Sequence, residues 1–419
     1  MTKPVEPSLL DQLECFLRDA ITNLNPEPSH TKGKPRILPA LALWAGVLVC
    51  VARGLTAQLE VWRLLTQHGL WDFPRFPVSD DAVYKRLKTA ASDTLQHVFE
   101  HVTQLLAQRS PNPVQTLATF AAGVYALDEM TLDQVKKRLP SLRGTPEAVL
   151  PGVMTALFDI RAQRWHHACF HTNADQNEKV AARAMLEHIA KGSLIVADLG
   201  YFAFSWFDDL TTRGFHWVSR LRSKTSYTVL HTLYDHGGVR DQIVWLGAYR
   251  ADQAAHAVRL VTFTHNKTVW RFITNVLEAD KLSARQVSEL YARRWDIEMM
   301  FNLVKTHLKL HVLWSAHETV VLHQVWAVFT VAQVILGLRA EIAQQAKADV
   351  FEVSLDLLVR WLPRFARGGE DPVAVLVERG RAARIIRPST RFAWAVPEVD
   401  NALPAATVLT RVARYARKA

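Results

Sequence analysis

The segment from Ser193 to Gly200 constrains the fold of this chain more than any other. Its residues, Ser-Leu-Ile-Val-Ala-Asp-Leu-Gly, form a continuous apolar run that closes on Asp198, without polar alternation. A strand of this kind is buried on both faces, as in sheets that are covered by helices. The segment therefore predicts a central strand of an α/β fold.

Strand and helix patterns alternate around this segment. A helix is predicted at Asp175–Ile189 before it and another at Tyr201–Leu210 after it, followed by a strand at Phe215–Leu221. Three further strands are predicted upstream: Val124–Glu129, Val149–Ile160 and Trp165–Thr172. This order fits a mixed α/β sheet with helices on both faces.

Changes in hydrophobic pattern and composition divide the chain into five segments. Residues 1–117 are predicted to be helical, and 118–221 form the first part of the sheet core. Residues 222–274 carry short strand patterns and a Gly-Gly turn, which indicates a β insertion. Residues 275–345 return to the core, and 346–419 form a basic, helical C-terminal region.

The charge of the chain favours a polyanionic partner. The formal net charge is +10, and the segment from Val359 to Ala419 contains twelve Lys or Arg but only five Asp or Glu. Three widely spaced cysteines fit a reducing compartment without disulfides. We see no basic-then-apolar leader, and the apolar run Thr319–Leu338 contains His and Gln, so we expect a buried helix and no membrane partner.

A short basic helix is predicted after the Pro-containing loop at residues 74–77. Ser79 is a natural N-cap, and Lys85 and Arg86 lie on the helix that it opens. The pattern is typical of a helix-turn-helix reading element, which makes these two residues candidates for DNA contacts. An ordinary capped helix explains the pattern equally well.

A single helix predicted from Ser283 to Leu310 presents four polar side chains along one edge. Tyr291, Arg294, Glu298 and Lys305 fall within about 60° of one another at ~100° per residue. Such a set suits a metal ion and a phosphate chain. The alternative is a solvated face with charge pairs four residues apart.

Two aspartates, Asp128 and Asp198, each end an apolar strand, where sheets place ligand-binding groups. If the strands are neighbours, the carboxylates are close and require a cation or a proton between them. Glu298 could supply a third oxygen. Three carboxylates match Mg²⁺ or Mn²⁺, and two such ions suit phosphodiester cleavage.

Other candidate ligands rank lower. Asp133 lies near the same strand end as Asp128, Glu129 points to the opposite side of its strand, and Asp159 sits at a predicted hairpin. A zinc site at His167, Cys169 and His171 lacks a fourth ligand nearby.

The stretch Tyr291-Ala-Arg-Arg-Trp-Asp-Ile-Glu298-Met-Met-Phe-Asn-Leu-Val-Lys305 resembles the Tyr-Arg-Glu-Lys signature of insertion-sequence transposases of the DDE class (the IS-four family). The segment around Asp198 resembles the second-aspartate strand of that family, with Leu199 where a basic residue is frequent. Leu127-Asp128-Glu-Met-Thr resembles the first-aspartate strand, where many members place the Thr or Ser closer to the aspartate.

This resemblance implies a ribonuclease H-like fold and hydrolysis at transposon ends, followed by attack of the freed 3′-hydroxyl on target DNA in a cut-and-paste reaction. Asp128, Asp198 and Glu298 would hold two Mg²⁺ or Mn²⁺ ions. Tyr291, Arg294 and Lys305 would contact backbone phosphates of double-stranded DNA, and the protein would act as a homodimer on paired ends. The alternative is a transposase-derived DNA-binding protein without cleavage activity.

The resemblance also draws attention to two tryptophans of the predicted insertion. Some relatives stack a flipped base on an aromatic residue there, and Trp270 and Trp245 are the candidates. Ordinary packing of tryptophans on strands is the simpler explanation.

Overall fold

The computed structural model describes most of the 419-residue chain. The described residues are 37–70, 73–109, 114, 116–132, 152–171, 178–249, 252–315, 317–368, 372–389, 394, 396 and 409–415. They divide between two compact units. Unit 1 contains Met1–Pro113, Thr131–Val153 and Met299–Ser389, and unit 2 contains Val114–Met130, Met154–Glu298 and Thr390–Ala419.

The helices of the described part follow in chain order. They are α1 (Ala40–Ala52), α2 (Gln58–Arg63), α3 (Asp80–Thr89), α4 (Thr94–Arg109), α5 (Glu178–Met185), α6 (Phe204–Thr212), α7 (Ala284–Arg293), α8 (Trp295–Asn302), α9 (Glu318–Gln345), α10 (Leu355–Gly368) and α11 (Pro372–Arg379). Short π-helical turns follow α2 and α8, at Leu64–His68 and Leu303–His307.

Nine strands form one sheet in the order β3-β2-β1-β4-β5-β9-β8-β7-β6. The strands are β1 (Val124–Thr131), β2 (Val153–Asp159), β3 (Arg164–His171), β4 (Leu194–Ala197), β5 (His216–Arg220), β6 (Tyr227–His236), β7 (Val239–Leu246), β8 (Val258–His265) and β9 (Thr268–Thr274). Strands β1, β4 and β5 run parallel. Strand β9 pairs with β5 in an antiparallel manner, and the neighbouring strands among β6, β7, β8 and β9 are also antiparallel. The predicted mixed α/β sheet is confirmed.

Strand β4 is shorter than predicted. It ends at Ala197, one residue before Asp198, on which the predicted strand closes, and a 3₁₀ turn occupies Leu199–Tyr201. The amide of Tyr201 donates to the carbonyl of Asp198 at 3.1 Å, which turns the chain immediately after the aspartate. Helix α6 consequently begins at Phe204 instead of Tyr201.

The β insertion extends the core sheet. Strand β9 pairs with β5, with Ile273 opposite Ser219, so β6 to β9 continue the same hydrogen-bonded layer. The Nε of Arg259 on β8 donates to both carboxylate oxygens of Asp241 on β7, at 2.8 and 3.0 Å. Both side chains are completely buried, so this ion pair belongs to the interior of the insertion.

The long apolar helix α9 is the core of unit 1. It packs against α1, α4 and α11, and 94% of its most apolar window is buried within the protein. A Cβ on Gly337 would lie 2.9 Å from Leu106 of α4, so glycine permits this close helix approach. The long apolar run is therefore a buried helix, as predicted.

Two sequence predictions on the N-terminal region have different outcomes. Ser79 caps α3, and its hydroxyl accepts a hydrogen bond from the amide of Ala82 at 3.2 Å. The first 36 residues of the predicted helical region lie outside the described residues, as does Asp133.

Candidate active site

The register of the sheet places Asp128 beside Asp198. Strands β1 and β4 are parallel neighbours with Leu127 opposite Ala197, so the two aspartates follow the last paired residues at matched positions. Asp198 comes directly after β4, whereas β1 continues past Asp128 to Thr131, so the prediction that Asp128 ends its strand was wrong. Neighbouring strands are about 4.8 Å apart. The structure thus meets the condition on which the proximity of the two carboxyl groups depended, that their strands are neighbours.

The carboxyl of Asp128 is the more buried of the two. The pKa of Asp128 is raised from 3.8 to about 6, mainly by burial, and the nearby carboxylates of Glu298 and Asp198 contribute to this rise. The amide of Glu129, which donates to Asp128 at 2.8 Å, and the charge of Arg294 act in the opposite direction. Negative charge is therefore concentrated at this end of the strands, and Arg294 and the amide of Glu129 balance it only in part.

The prediction of a single helix from Ser283 to Leu310 was wrong. Ser283 and Gln286 form a capping box at the start of α7, but α7 ends at Arg293 and α8 begins at Trp295. The amide of Arg294 bonds to the carbonyl of Tyr291, three residues earlier, which tightens the chain at that point. Tyr291, Arg294 and Glu298 nevertheless stay together.

Arg294 connects the carboxylates of the site. Its guanidinium forms an ion pair with Glu298 through Nη1, and its Nε lies 3.7 Å from the Oδ1 of Asp198. Arg294 is only 7% exposed. Burial alone would lower its pKa, but the charges of Asp198, Tyr291 and Glu298 raise it overall. The arginine is thus the internal counter-ion of the acidic edge.

Tyr291 and Trp270 belong to one aromatic cluster. The ring of Tyr291 packs on Phe272 at 4.7 Å between centroids, and Trp270 contacts Phe272 at 6.2 Å. Trp270 also contacts Trp394 at 5.1 Å and the guanidinium of Arg220 at 4.8 Å. This environment favours the packing explanation for Trp270, and its role in base stacking stays a prediction.

Trp245 has a comparable packed environment. The guanidinium of Arg411 lies 4.7 Å from its ring centroid, and the side chain is half-buried on β7. The structure therefore accounts for Trp245 as a packing residue of the insertion.

The remaining DNA-contact candidates lie in unit 1, whereas the residues above lie in unit 2. Lys305 is half-buried in the π-helical turn after α8. Lys85 is exposed on α3, but Arg86 donates a hydrogen bond to the carbonyl of Leu38. Arg86 therefore holds the chain that leads into α1, a structural contact that its sequence context did not reveal.

The lower-ranked candidates have structural partners. Glu129 accepts a hydrogen bond from Thr155 on β2 at 2.9 Å, and Asp159 accepts one from the amide of Ala162 in the hairpin, at 2.8 Å. His167 stacks on His188 with 3.5 Å between ring centroids. Within the described residues, no three His, Cys, Asp or Glu side chains form a group that could hold a metal ion.

Sequence reasoning missed the pair Gln163 and Asp296. Asp296, on α8 two residues before Glu298, is 1% exposed and accepts a hydrogen bond from the Nε2 of Gln163 at 2.8 Å. Gln163 lies in the β2–β3 hairpin with a φ of 54°, and it also donates to the carbonyl of Ile160. The pair ties the helix of Glu298 to the sheet. An acidic residue on the apolar side of the helix was the available signal.

We expect Gln163→Asn to lower DNA cleavage about tenfold without weakening DNA binding, because groups that orient a catalytic side chain contribute at this level. Asparagine tolerates the left-handed backbone but is too short to reach Asp296. Gln242→Asn removes a comparable hydrogen bond, to Thr232 within the insertion, and is the matched control. Single-turnover cleavage and binding assays check this prediction, and equal rates in both variants would contradict it.

The raised pKa of Asp128 predicts a pH-dependent stability. The pKa of Asp128 is about 6 in the folded protein and 3.8 ordinarily. The contribution of its protonated carboxyl to the free energy of unfolding is therefore fully present below pH 3.8 and is lost as the pH rises through 6. Asp128→Asn should therefore stabilise the metal-free protein above that window, on the order of 2 kcal/mol, and change little below it. Thermal unfolding in EDTA across this pH range is the measurement. An equal change in melting temperature of Asp128→Asn below and above this pH window would contradict the prediction.

The chain is similar in sequence to known transposases. Residues 154–331 match the family model for the transposase DDE domain, a range that includes every candidate of the site except Asp128. The chain is 22% identical, over 349 residues, to the transposase InsG for insertion sequence element IS4 of Escherichia coli (strain K12). That similarity covers 78% of this chain and 77% of the relative.

Among solved structures, a cryo-EM structure of a piggyBac transposase synaptic complex with hairpin DNA is similar with a TM-score of 0.44 and 10% identity. The alignment covers 91% of this chain and 84% of that one. The sequence comparisons agree with the resemblance carried by the Tyr-Arg-Glu-Lys signature: residues 154–331 match the transposase DDE domain, and most of the chain is similar to an insertion-sequence transposase.

Proposed function

We propose that this transposase cuts DNA at the ends of an insertion sequence and joins the freed 3′-hydroxyl to target DNA. The observation that carries the proposal is the matched position of Asp128 and Asp198 on neighbouring parallel strands, with Arg294 linking Asp198 to Glu298. In-line phosphodiester cleavage needs carboxylates that hold metal ions. In the described residues these three carboxylates do not by themselves form a metal-holding group, because Arg294 pairs with both Asp198 and Glu298. Cut-and-paste transposition is the reaction that the site supports best.

The donor set fits Mg²⁺ or Mn²⁺. All three side chains offer hard oxygen ligands without sulfur or imidazole, and their charges act on one another, since Asp198 and Glu298 both raise the pKa of Asp128. Asp128, Asp198 and Glu298 would hold two ions, which activate a water molecule and stabilise the leaving oxygen when bound. Arg294 neutralises part of the negative charge of these carboxylates through its ion pair with Glu298.

The remaining roles concern double-stranded DNA. Arg294 and Lys305 are suited to pair with phosphates near the cut, and Tyr291 can donate its hydroxyl to a phosphate. Lys85 is exposed and available for DNA on the predicted reading helix, whereas Arg86 has the internal contact described above.

A ribonuclease H-like core is part of the proposal. The order β3-β2-β1-β4-β5, with β1, β4 and β5 parallel, supports it. We further propose that a homodimer holds paired ends and that the protein works on DNA in the bacterial cytoplasm.

A plasmid cleavage assay tests the proposal. Supercoiled DNA that carries the terminal repeats of the encoding element is incubated with the full chain in Mg²⁺, in Mn²⁺ or in EDTA. Cleavage at the repeats in either metal, with none in EDTA, is the expected result. Specific binding to the repeats without cleavage in any metal would support instead a DNA-binding protein that has lost the reaction.

A further inference from the structure

The basic residues of the C-terminal region do not share one environment. Arg411 is a structural residue, because its guanidinium donates to the carbonyls of Ala254, Leu246 and Gly247 at 2.8 to 3.0 Å. It therefore fastens the described C-terminal segment to the insertion. Its charge is not part of an open basic surface.

A second group of arginines is presented to solvent. The segment from Arg379 to Arg387, here named the arginine loop, has the sequence Arg-Gly-Arg-Ala-Ala-Arg-Ile-Ile-Arg and contains no acidic residue. Its four arginines are exposed. They are Arg379, Arg381, Arg384 and Arg387.

The backbone closes this loop on itself. The carbonyl of Gly380 accepts hydrogen bonds from the amides of both Ile385 and Ile386, at 2.8 and 3.0 Å. With about 3.8 Å between consecutive Cα atoms, every residue inside lies within about 11 Å of a closing residue along the chain. The four cationic side chains are thus gathered around one small turn.

Buried anchors fix the loop in unit 1. Ile385 and Ile386 are 1% and 4% exposed, and Ile386 forms a β-bridge with Val353. The amide of Arg387 donates to the carbonyl of Glu352 at 3.0 Å, and Arg381 donates from its guanidinium to the carbonyl of Ala346 at 3.0 Å. The backbone that carries the arginines is therefore ordered before any partner binds, which lowers the entropic cost of binding.

Neighbouring acids neutralise this charge only in part. Glu378 lies 3.8 Å from Arg379, but the two side chains are 71% and 65% exposed, so the pair is weak in water. The carboxylate of Glu352 is engaged at the amide of Asp349 in a capping box. A positive surface on a fixed backbone remains.

We propose that the arginine loop binds the phosphate backbone of duplex DNA, as a contact surface separate from the catalytic carboxylates. Guanidinium groups bind phosphate oxygens in a bidentate manner, and contacts to phosphates carry no direct sequence information. The contact is consequently independent of sequence. The proposal rests on the proposed function only in taking DNA as the partner.

The test measures equilibrium binding of the full chain to a duplex of arbitrary sequence in EDTA, over a range of salt concentrations. In the variant Arg379→Gln, Arg384→Gln and Arg387→Gln we expect binding to weaken at least about tenfold. The slope of log affinity against log salt should fall by up to about 2.7, at about 0.9 per phosphate contact. Lysine at the same three positions should retain most of the slope.

The matched control removes three arginines that have acidic partners, of which Arg63 is half-buried and Arg240 and Arg285 are exposed, each changed to Gln. This control loses the same net charge, and its slope should stay close to that of the wild type. Equal slopes for the loop variant and the control, with wild-type melting temperatures, would overturn the proposal. Loop-dependent binding without metal-dependent cleavage would instead leave the loop assignment standing and refute the cleavage function.

Discussion

Asp198→Asn and Glu298→Gln should each lower cleavage of transposon ends at least about 10³-fold. Both changes replace a proposed metal-binding oxygen by an amide group of the same size, and a metal ion contributes several kcal/mol to the transition state of phosphoryl transfer. End binding should change little, because phosphate contacts come from other residues. Single-turnover cleavage and equilibrium binding on the same DNA measure the two effects separately.

The controls are two carboxylates of unit 2 that pair with arginines away from this edge. Asp209 lies 3.0 Å from Arg183, and Glu187 lies 2.7 Å from Arg213. Asp209→Asn and Glu187→Gln should cleave at the wild-type rate. Cleavage by the Asp198 or Glu298 variants within tenfold of these controls would contradict the assignment of the metal ligands.

Arg259→Met should destabilise the protein by about 3–5 kcal/mol, the loss expected when one partner of a buried ion pair is removed. Both Arg259 and Asp241 are completely buried, so the remaining carboxylate would lose its arginine without gaining access to water. Because β7 and β8 belong to the nine-stranded sheet, the effect should extend beyond the insertion. Chemical denaturation monitored by circular dichroism is the measurement.

The double variant Arg259→Met with Asp241→Leu removes both charges and should recover most of the lost stability. Arg240→Met is the control, since Arg240 pairs with Asp235 on the surface, where such a pair contributes at most about 1 kcal/mol. A double variant as unstable as the single one would show that packing, and not the unpaired charge, causes the loss.

The strand pattern of the core was readable from the sequence because burial on both faces leaves an uninterrupted apolar signal. Strands β1, β4 and β5 lie within two or three residues of their predicted bounds. The position of Asp198 at a strand end followed from the same signal. Its partnership with Asp128 depended on strand order, which only the structure supplies.

Tertiary contacts explain what the sequence did not reveal. Helical periodicity continues through Arg294, so the break between α7 and α8 is invisible in the pattern. The pairing of Arg294 with Asp198 joins residues almost one hundred positions apart along the chain. The buried contact of Asp296 with Gln163 is equally remote, and short-range rules give no information on such pairs.

The central position of α9 in unit 1 determines when the N-terminal helices can fold during synthesis. Helices α1 and α4 pack on α9, yet α9 begins about 200 residues after α4 ends. At about 5–20 residues per second, the ribosome needs roughly 10–40 s to produce that interval. Throughout this time the apolar faces of α1 and α4 lack their native partner. The native packing of α1 and α4 on α9 can therefore form only after α9 has emerged from the ribosome.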